Sequence, residues 1–161
     1  MNARLKFSDS LNLIRSFKTS GTITPSSKVL IKTLLAPIDF TSARCIIELG
    51  PGTGCVTRSI LERMHADCVL ICFEVNSDFV GQLEALQDSR LRVVNACASS
   101  IRTILDDLVI EEVDHIVSSL PLALIDNEVV KRILESARSN LRVGGRFLQF
   151  QYSLSNYAEL K

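Results

Sequence analysis

The chain has 161 residues, 47% of them hydrophobic and 22% charged, and its 18 cations balance its 18 carboxylates. That length suits one domain with a real core, and the composition excludes a disordered chain. No apolar stretch approaches the roughly 18 residues of a membrane-spanning helix, and the opening residues, with Arg4, Lys6 and Asp9, do not read as a secretory signal. The expected location is cytoplasmic.

In chain order, Leu11, Leu13, Ile14 and Phe17 recur at helical spacing over residues 8–19, with Arg15 and Lys18 on another face. Gly21 to Pro25 reads as a connector. Ser26 and Ser27 are candidate caps for a second helix that runs to about Leu35 and ends at Pro37. Residues 1–36 are thus expected as a basic helical front, and residues 37–161 as a single core. The first strand is predicted at Cys45–Leu49, with a helix from about Cys55 to Met64. Val69–Glu74 follows as a strand and Asp78–Gln87 as a helix. Leu91–Asn95 is a short third strand, Ser99–Leu108 a helix and Asp114–Ser118 a fourth strand. Asn127–Asn140 is a helix with Val129, Val130, Ile133, Leu134 and Ala137 on its apolar side. Val143-Gly144-Gly145 reads as a turn before a fifth strand, Arg146–Tyr152. Strands and helices alternate every 22–30 residues or so, which predicts a doubly wound parallel α/β sheet with right-handed crossovers.

Charge is unevenly spread. Residues 1–32 hold six cations (Arg4, Lys6, Arg15, Lys18, Lys28, Lys32) against Asp9, and the remaining residues hold 12 cations against 17 acids. A basic front on an acidic body points to a polyanionic surface, either lipid headgroups or nucleic acid, or to a basic helix covering the acidic domain. The five cysteines, Cys45, Cys55, Cys68, Cys72 and Cys97, are odd in number and irregular in spacing. Without a secretion signal no disulfide is expected. His65, Cys68 and Cys72 include no Cys-x-x-Cys pair, so no metal site is expected either.

The most informative run is Ile46-Ile47-Glu48-Leu49-Gly50-Pro51-Gly52-Thr53-Gly54. A buried strand leads into three glycines spaced two apart, which permit positive φ and close approach of a ligand. The spacing is neither the dinucleotide fingerprint nor a Walker loop, and no lysine follows. A turn without a ligand is the bland alternative. Against it stands Glu74, which ends the second strand 20 residues after Gly54. A carboxylate at that tip accepts hydrogen bonds from ribose hydroxyls in doubly wound folds. The glycine loop, Glu74, Ala96–Ala98 and Ser118–Leu122 all fall at predicted strand ends and so are expected on one rim.

Glu-Leu-Gly-x-Gly-x-Gly resembles the first motif of class I S-adenosylmethionine (SAM) methyltransferases. Over about Leu11 to Tyr152 the chain resembles the bacterial phospholipid N-methyltransferase group, itself similar to the rRNA adenine dimethylases. The segments that carry the resemblance are Gly21 to Ser27, Glu48 to Gly54, Phe73 to Asn76 and Ser118-Ser119-Leu120-Pro121-Leu122. It implies SAM as cofactor, held by Ser26, by Glu48, Leu49, Gly50, Pro51, Gly52, Thr53 and Gly54, by Glu74 and Val75, by Ala96, Cys97 and Ala98, and by Ser118. Ser119, Leu120, Pro121 and Leu122 would lie on the substrate side. The general base is left open; His115, inside the fourth strand, reads as a packed side chain. The fold implied is the Rossmann-like class I methyltransferase sheet. Nine residues follow Tyr152, too few for the sixth and seventh strands of that fold, so a reduced sheet or a shortened chain is expected, with a fifth-strand edge available for self-association.

Two departures from the family pattern have physical content. Ser119 and Leu122 replace the Asn and Tyr of the adenine dimethylases, so no ring stacks on a base at that place and nucleic acid is disfavoured. Cys97 replaces an Asp that contacts adenine, and cysteine is a poor acceptor; one lost neutral hydrogen bond costs about 1 kcal/mol. The resemblance implies direct transfer of methyl to the neutral amine of phosphatidylethanolamine or a related aminolipid, at the inner face of the membrane. An rRNA methyltransferase and a catalytically inactive SAM-binding module are the alternatives.

Overall fold

The computed structural model describes the backbone of residues 25–150 and the side chains of residues 28–150. The predicted helix over 8–19 and the last residues of the expected fifth strand lie outside the described residues. In order come α1 (Pro25–Leu35), β1 (Cys45–Leu49), α2 (Cys55–Leu61), β2 (Val69–Phe73), α3 (Ser77–Glu84), β3 (Leu91–Val94), a 3-10 turn (Ala98–Ser100) and α4 (Ile101–Asp107). After these come β4 (Val113–Ser118), a second 3-10 turn (Leu122–Leu124), α5 (Asn127–Asn140) and β5 (Leu141–Gln149). Among the described residues no helix is long and apolar enough to cross a membrane.

The sheet has the order β3-β2-β1-β4-β5, and every pair is parallel. The chain winds outward from β1 to β3, returns to the other edge of β1 with β4, and winds outward again. This is the doubly wound, Rossmann-like sheet the alternation predicts. The direction of winding reverses between β1 and β4, the place where such sheets take ligands. β1 is buried at all five positions because it has a strand on each side and a helical layer on each face. Its alternate residues feed two cores. Ile46 joins Leu35, Ile60, Leu61, Leu70 and Val117 beneath α1 and α2. Ile47 and Leu49 join Ile71, Ile101, Leu105, Ile133 and Ala137 beneath α4 and α5. Cys45, Cys68 and Cys72 are buried as small apolar side chains.

Two local readings change. Pro25 takes the first helical position, where its missing N–H costs nothing, so Ser26 and Ser27 fall inside the first turn of α1 instead of capping it. Val143 to Gly145 forms a bulge inside β5, not a turn before it. Val113 pairs with Leu141 and His115 with Arg146, so residues 142–145 are accommodated opposite Asp114. Gly144 has φ +80°, and a Cβ on Gly145 would meet the carbonyl oxygens of Asp114 at 2.8 Å and Arg142 at 2.9 Å. Only glycine fits there.

Asp114 anchors the amino end of the sheet. Its Oδ2 accepts the backbone amides of Arg44 (2.7 Å) and Cys45 (2.9 Å), and its Oδ1 accepts Arg142 Nε (2.6 Å). Burial opposes its ionisation, but the two amides and the guanidinium outweigh burial and hold the carboxyl below its usual range.

His115 is 4% exposed, lies mid-strand between Ile46 and Arg146, and has no hydrogen-bond partner for either ring nitrogen among the described residues. Burial pushes its pKa below 6.5; Arg142 and Arg146 push the same way, while Asp114 and Asp39 oppose. The unfolded chain therefore takes up a proton near pH 6.5 that the folded chain refuses, so stability is complete above that pH and falls below it. Unfolding free energies from urea titrations between pH 7.5 and 5.5 are expected to drop at up to about 1.4 kcal/mol per pH unit below pH 6.5, and His115→Leu should flatten that part of the curve.

Candidate functional site

The loop leaving β1 turns at three glycines with positive φ: Gly50 at 70°, Gly52 at 56° and Gly54 at 80°. Gly50 N–H donates to the carbonyl of Phe73 at the end of β2 (3.0 Å), and Ser119 N–H donates to the carbonyl of Leu49 (2.9 Å). The loop is thus tied to a strand on each side. A Cβ on Gly50 would lie 2.7 Å from Leu120 Cδ2, so the glycine lets the Ser119–Leu122 segment close over the loop. Arg58, one turn into α2, gives Nη1 to the carbonyl of Thr53 (2.8 Å) and fastens the far end.

Glu74 stands at the tip of β2 and is 4% exposed. Its Oε2 accepts Gly52 N–H and its Oε1 accepts Asn76 N–H, both at 3.0 Å. Its own amide donates to Val94, and its carbonyl accepts Asn95 Nδ2. Each carboxylate oxygen can take more than one donor, so the same group can hold the loop and receive a ligand's hydroxyls. The carboxylate tip beside a loop of positive-φ glycines fits the ribose-facing part of the expected cofactor.

Glu48 is fully buried, and its Oε2 accepts Thr57 Oγ1 (2.7 Å) and the Cys72 thiol (3.4 Å). These contacts join β1 to α2 and β2 beneath the loop. Burial, followed by the Glu48 charge, raises the Cys72 pKa well above its usual value, so that thiol stays protonated.

The remaining predicted residues occupy the same rim in strand order. Ala96 turns back on Val94 after β3, Cys97 is half-buried with its sulfur accepting Ser99 Oγ (3.3 Å), and Ala98 is buried. Leu49, Pro51 and Ser118 are buried, Thr53 and Val75 half-buried. Ser118 accepts Phe150 N–H at its carbonyl (2.8 Å). Ser119, Leu120 and Pro121 are half-buried at the mouth, whereas Leu122 is fully buried against Ile125 and Val130 and supports the segment from below. The Ser26 side chain is outside the described residues.

Sequence reasoning missed three side chains here. Thr57 and Arg58 hold Glu48 and the loop, and Gln149 holds the segment opposite. Gln149 Nε2 donates to the carbonyls of Leu120 (2.9 Å) and Phe150 (2.6 Å), while its buried Oε1 has no partner among the described residues. The spacing of Thr57, three residues into a helix after the glycines, was the available signal. Nothing in the sequence connects Gln149 to Leu120, 29 residues earlier.

No family model matches the chain. The ornithine lipid N-methyltransferase of Singulisphaera acidiphila is 32% identical over 131 residues, covering 80% of this chain and 68% of that protein. Among solved structures, TrmN from Thermus thermophilus superposes with a TM-score of 0.67 at 18% identity, over 89% of this chain and 42% of that one. This chain therefore spans less than half of the TrmN chain. The N-methyltransferase NodS from Bradyrhizobium japonicum gives a TM-score of 0.63 at 17% identity, over 79% of this chain and 68% of that one. At these identities both structures bear on the fold alone.

Gly50→Ala joins an unfavourable φ to a clash with Leu120. It should destabilise the protein by about 1–3 kcal/mol in urea titrations. Leu120→Ala in the same chain should recover part of that loss, a coupling that a double-mutant cycle reads directly.

Proposed function

The chain belongs to the family of class I SAM-dependent methyltransferases that includes the ornithine lipid N-methyltransferase of Singulisphaera acidiphila, and we propose from that premise that it methylates the amine of an aminolipid, ornithine lipid or phosphatidylethanolamine. The observation that carries the acceptor reading is the aliphatic segment across the rim. Leu120 lies against Gly50, and Ser119 and Pro121 border it, so this segment meets the acceptor as an aliphatic wall with no ring of its own for a nucleobase. An aminolipid brings a small polar amine on an apolar body, which suits that wall.

SAM supplies the electrophilic sulfonium methyl. The chain's task is to bind, orient and exclude water. Glu74 would accept the ribose hydroxyls, the loop it holds would border the rest of the cofactor, and Glu48 braces that loop from beneath through Thr57. Gln149 fixes Leu120 by its carbonyl, and with it the distance between the acceptor wall and the loop. The acceptor amine must be neutral at attack, so its proton leaves to water or to an acceptor at the mouth. A peripheral position on the inner face of the membrane follows from a lipid acceptor.

Incubation with methyl-labelled SAM and vesicles of ornithine lipid, vesicles of phosphatidylethanolamine, or bulk RNA tests the reading. Label is expected in a lipid amine; label confined to RNA, or none in any acceptor, would sink it. Calorimetric titration checks the cofactor half separately. Glu74→Ala removes a buried charged acceptor and releases Gly52, and should weaken SAM about 10- to 100-fold.

A further inference from the structure

Beside the glycine loop, α1 and α2 flank a groove of about 650 Å³. Lys28 and Lys32, one turn apart on α1, line one wall, and Arg58 and Arg63 line the other, with Glu62 the one carboxylate among the lining residues. All five are exposed. None of the four cations forms an ion pair among the described residues. Arg58 spends one nitrogen on the Thr53 carbonyl, and Arg63 lies over the Phe40 ring at 4.3 Å from its centroid. Ile31 and Leu35 form an apolar floor. Four cations around one concavity repel one another, and an anion seated among them relieves that repulsion. On the outer side of α1, Val29 is 67% exposed and Leu30 40%.

We propose that this cleft is a binding site for the phosphate of an anionic phospholipid and that it docks the enzyme on a membrane surface. The purpose of the docking rests on the aminolipid reading, but the site itself does not depend on which amine is methylated. Cations beside exposed aliphatic side chains match a surface with phosphate above and hydrocarbon below. A single-stranded RNA would instead favour exposed rings for stacking, and the ring at this cleft, Phe40, is buried beneath Arg63. The cleft also starts where the loop ends, since Arg58 touches both. A docked membrane would therefore lie next to the rim where the methyl donor and acceptor meet.

Co-sedimentation tests this with vesicles of phosphatidylcholine alone and of phosphatidylcholine with phosphatidylglycerol, neither of which offers an amine to methylate. The chain should bind the anionic vesicles, less tightly as salt rises. Lys28→Gln/Lys32→Gln, at two exposed positions, should weaken that binding about 25-fold, roughly 5-fold per cation, with the melting temperature and SAM affinity unchanged. Adding Arg63→Gln should weaken it further. Lys131→Gln/Arg138→Gln, on α5 across the sheet, should leave it as in the parent. Unchanged binding in the cleft pair overturns the proposal, as does equal loss in both pairs. Loss of RNA binding in the cleft pair with vesicle binding intact overturns it too. Vesicle binding that depends on the cleft, together with no methylation of any lipid, would uphold the cleft and remove the acceptor reading.

Discussion

Both oxygens of the Glu74 carboxylate accept backbone amides, from Gly52 in the loop after β1 and from Asn76 at the start of α3. The parallel register that sets Leu49 beside Phe73 brings this carboxylate to the loop. Three glycines at alternate positions would otherwise leave the loop with much conformational freedom to lose. Amide bonds to a buried carboxylate, at about 1.5–3 kcal/mol each, offset that cost before any ligand arrives. The loop is thereby preorganised, and a cofactor meets a shape that already exists. The tie from Ser119 to Leu49 and the packing of Leu120 on Gly50 extend the same order to the acceptor side.

A second carboxylate performs the matching task at the opposite end of the sheet. Asp114 binds the amides that begin β1 and the guanidinium of Arg142 in β5, so strands distant in sequence start from one point. With the amino ends fixed there and the two cores packed on either face, the carboxyl ends can carry glycine, irregular turns and polar groups without loosening the sheet. Stability is concentrated at the bottom and in the middle, and the candidate site lies at the top.

The fold was legible because strand and helix periods alternate cleanly and because β2 reads as a continuous apolar run leading to Glu74 and β1 as an apolar run broken only by Glu48. That the glycine loop and Glu74 meet was legible because both fall at the carboxyl ends of strands predicted to be parallel, and the structure pairs those strands side by side. What escaped depended on contacts between distant segments. Val143-Gly144-Gly145 has the composition of a turn, and only the Asp114 carbonyl opposite Gly145 makes it a bulge. Gln149 acquires its role from Leu120, and Leu122 loses contact with the mouth because Ile125 and Val130 close around it. The basic cleft was half visible: Lys28 and Lys32 appear in the charge tally of the first 32 residues, whereas Arg58 and Arg63 come from a region that tallies as acidic.

The position of β1 bears on how the chain acquires its shape during synthesis. β1 is paired on one side by β2, which follows closely, but its other neighbour is β4, and the Arg44–Asp114 contact spans 70 residues. At about 5–20 residues per second, the ribosome delivers Asp114 some 4–14 s after Arg44. Throughout that interval a strand buried at every position in the finished fold presents an open hydrogen-bonding edge, a template for wrong pairing. Closure then requires a long loop to be drawn in before the strand pairing rewards it, which places the slow step of folding at the insertion of β4. The reversal of winding between β1 and β4 is thus also the point at which the nascent chain is most exposed to wrong pairing.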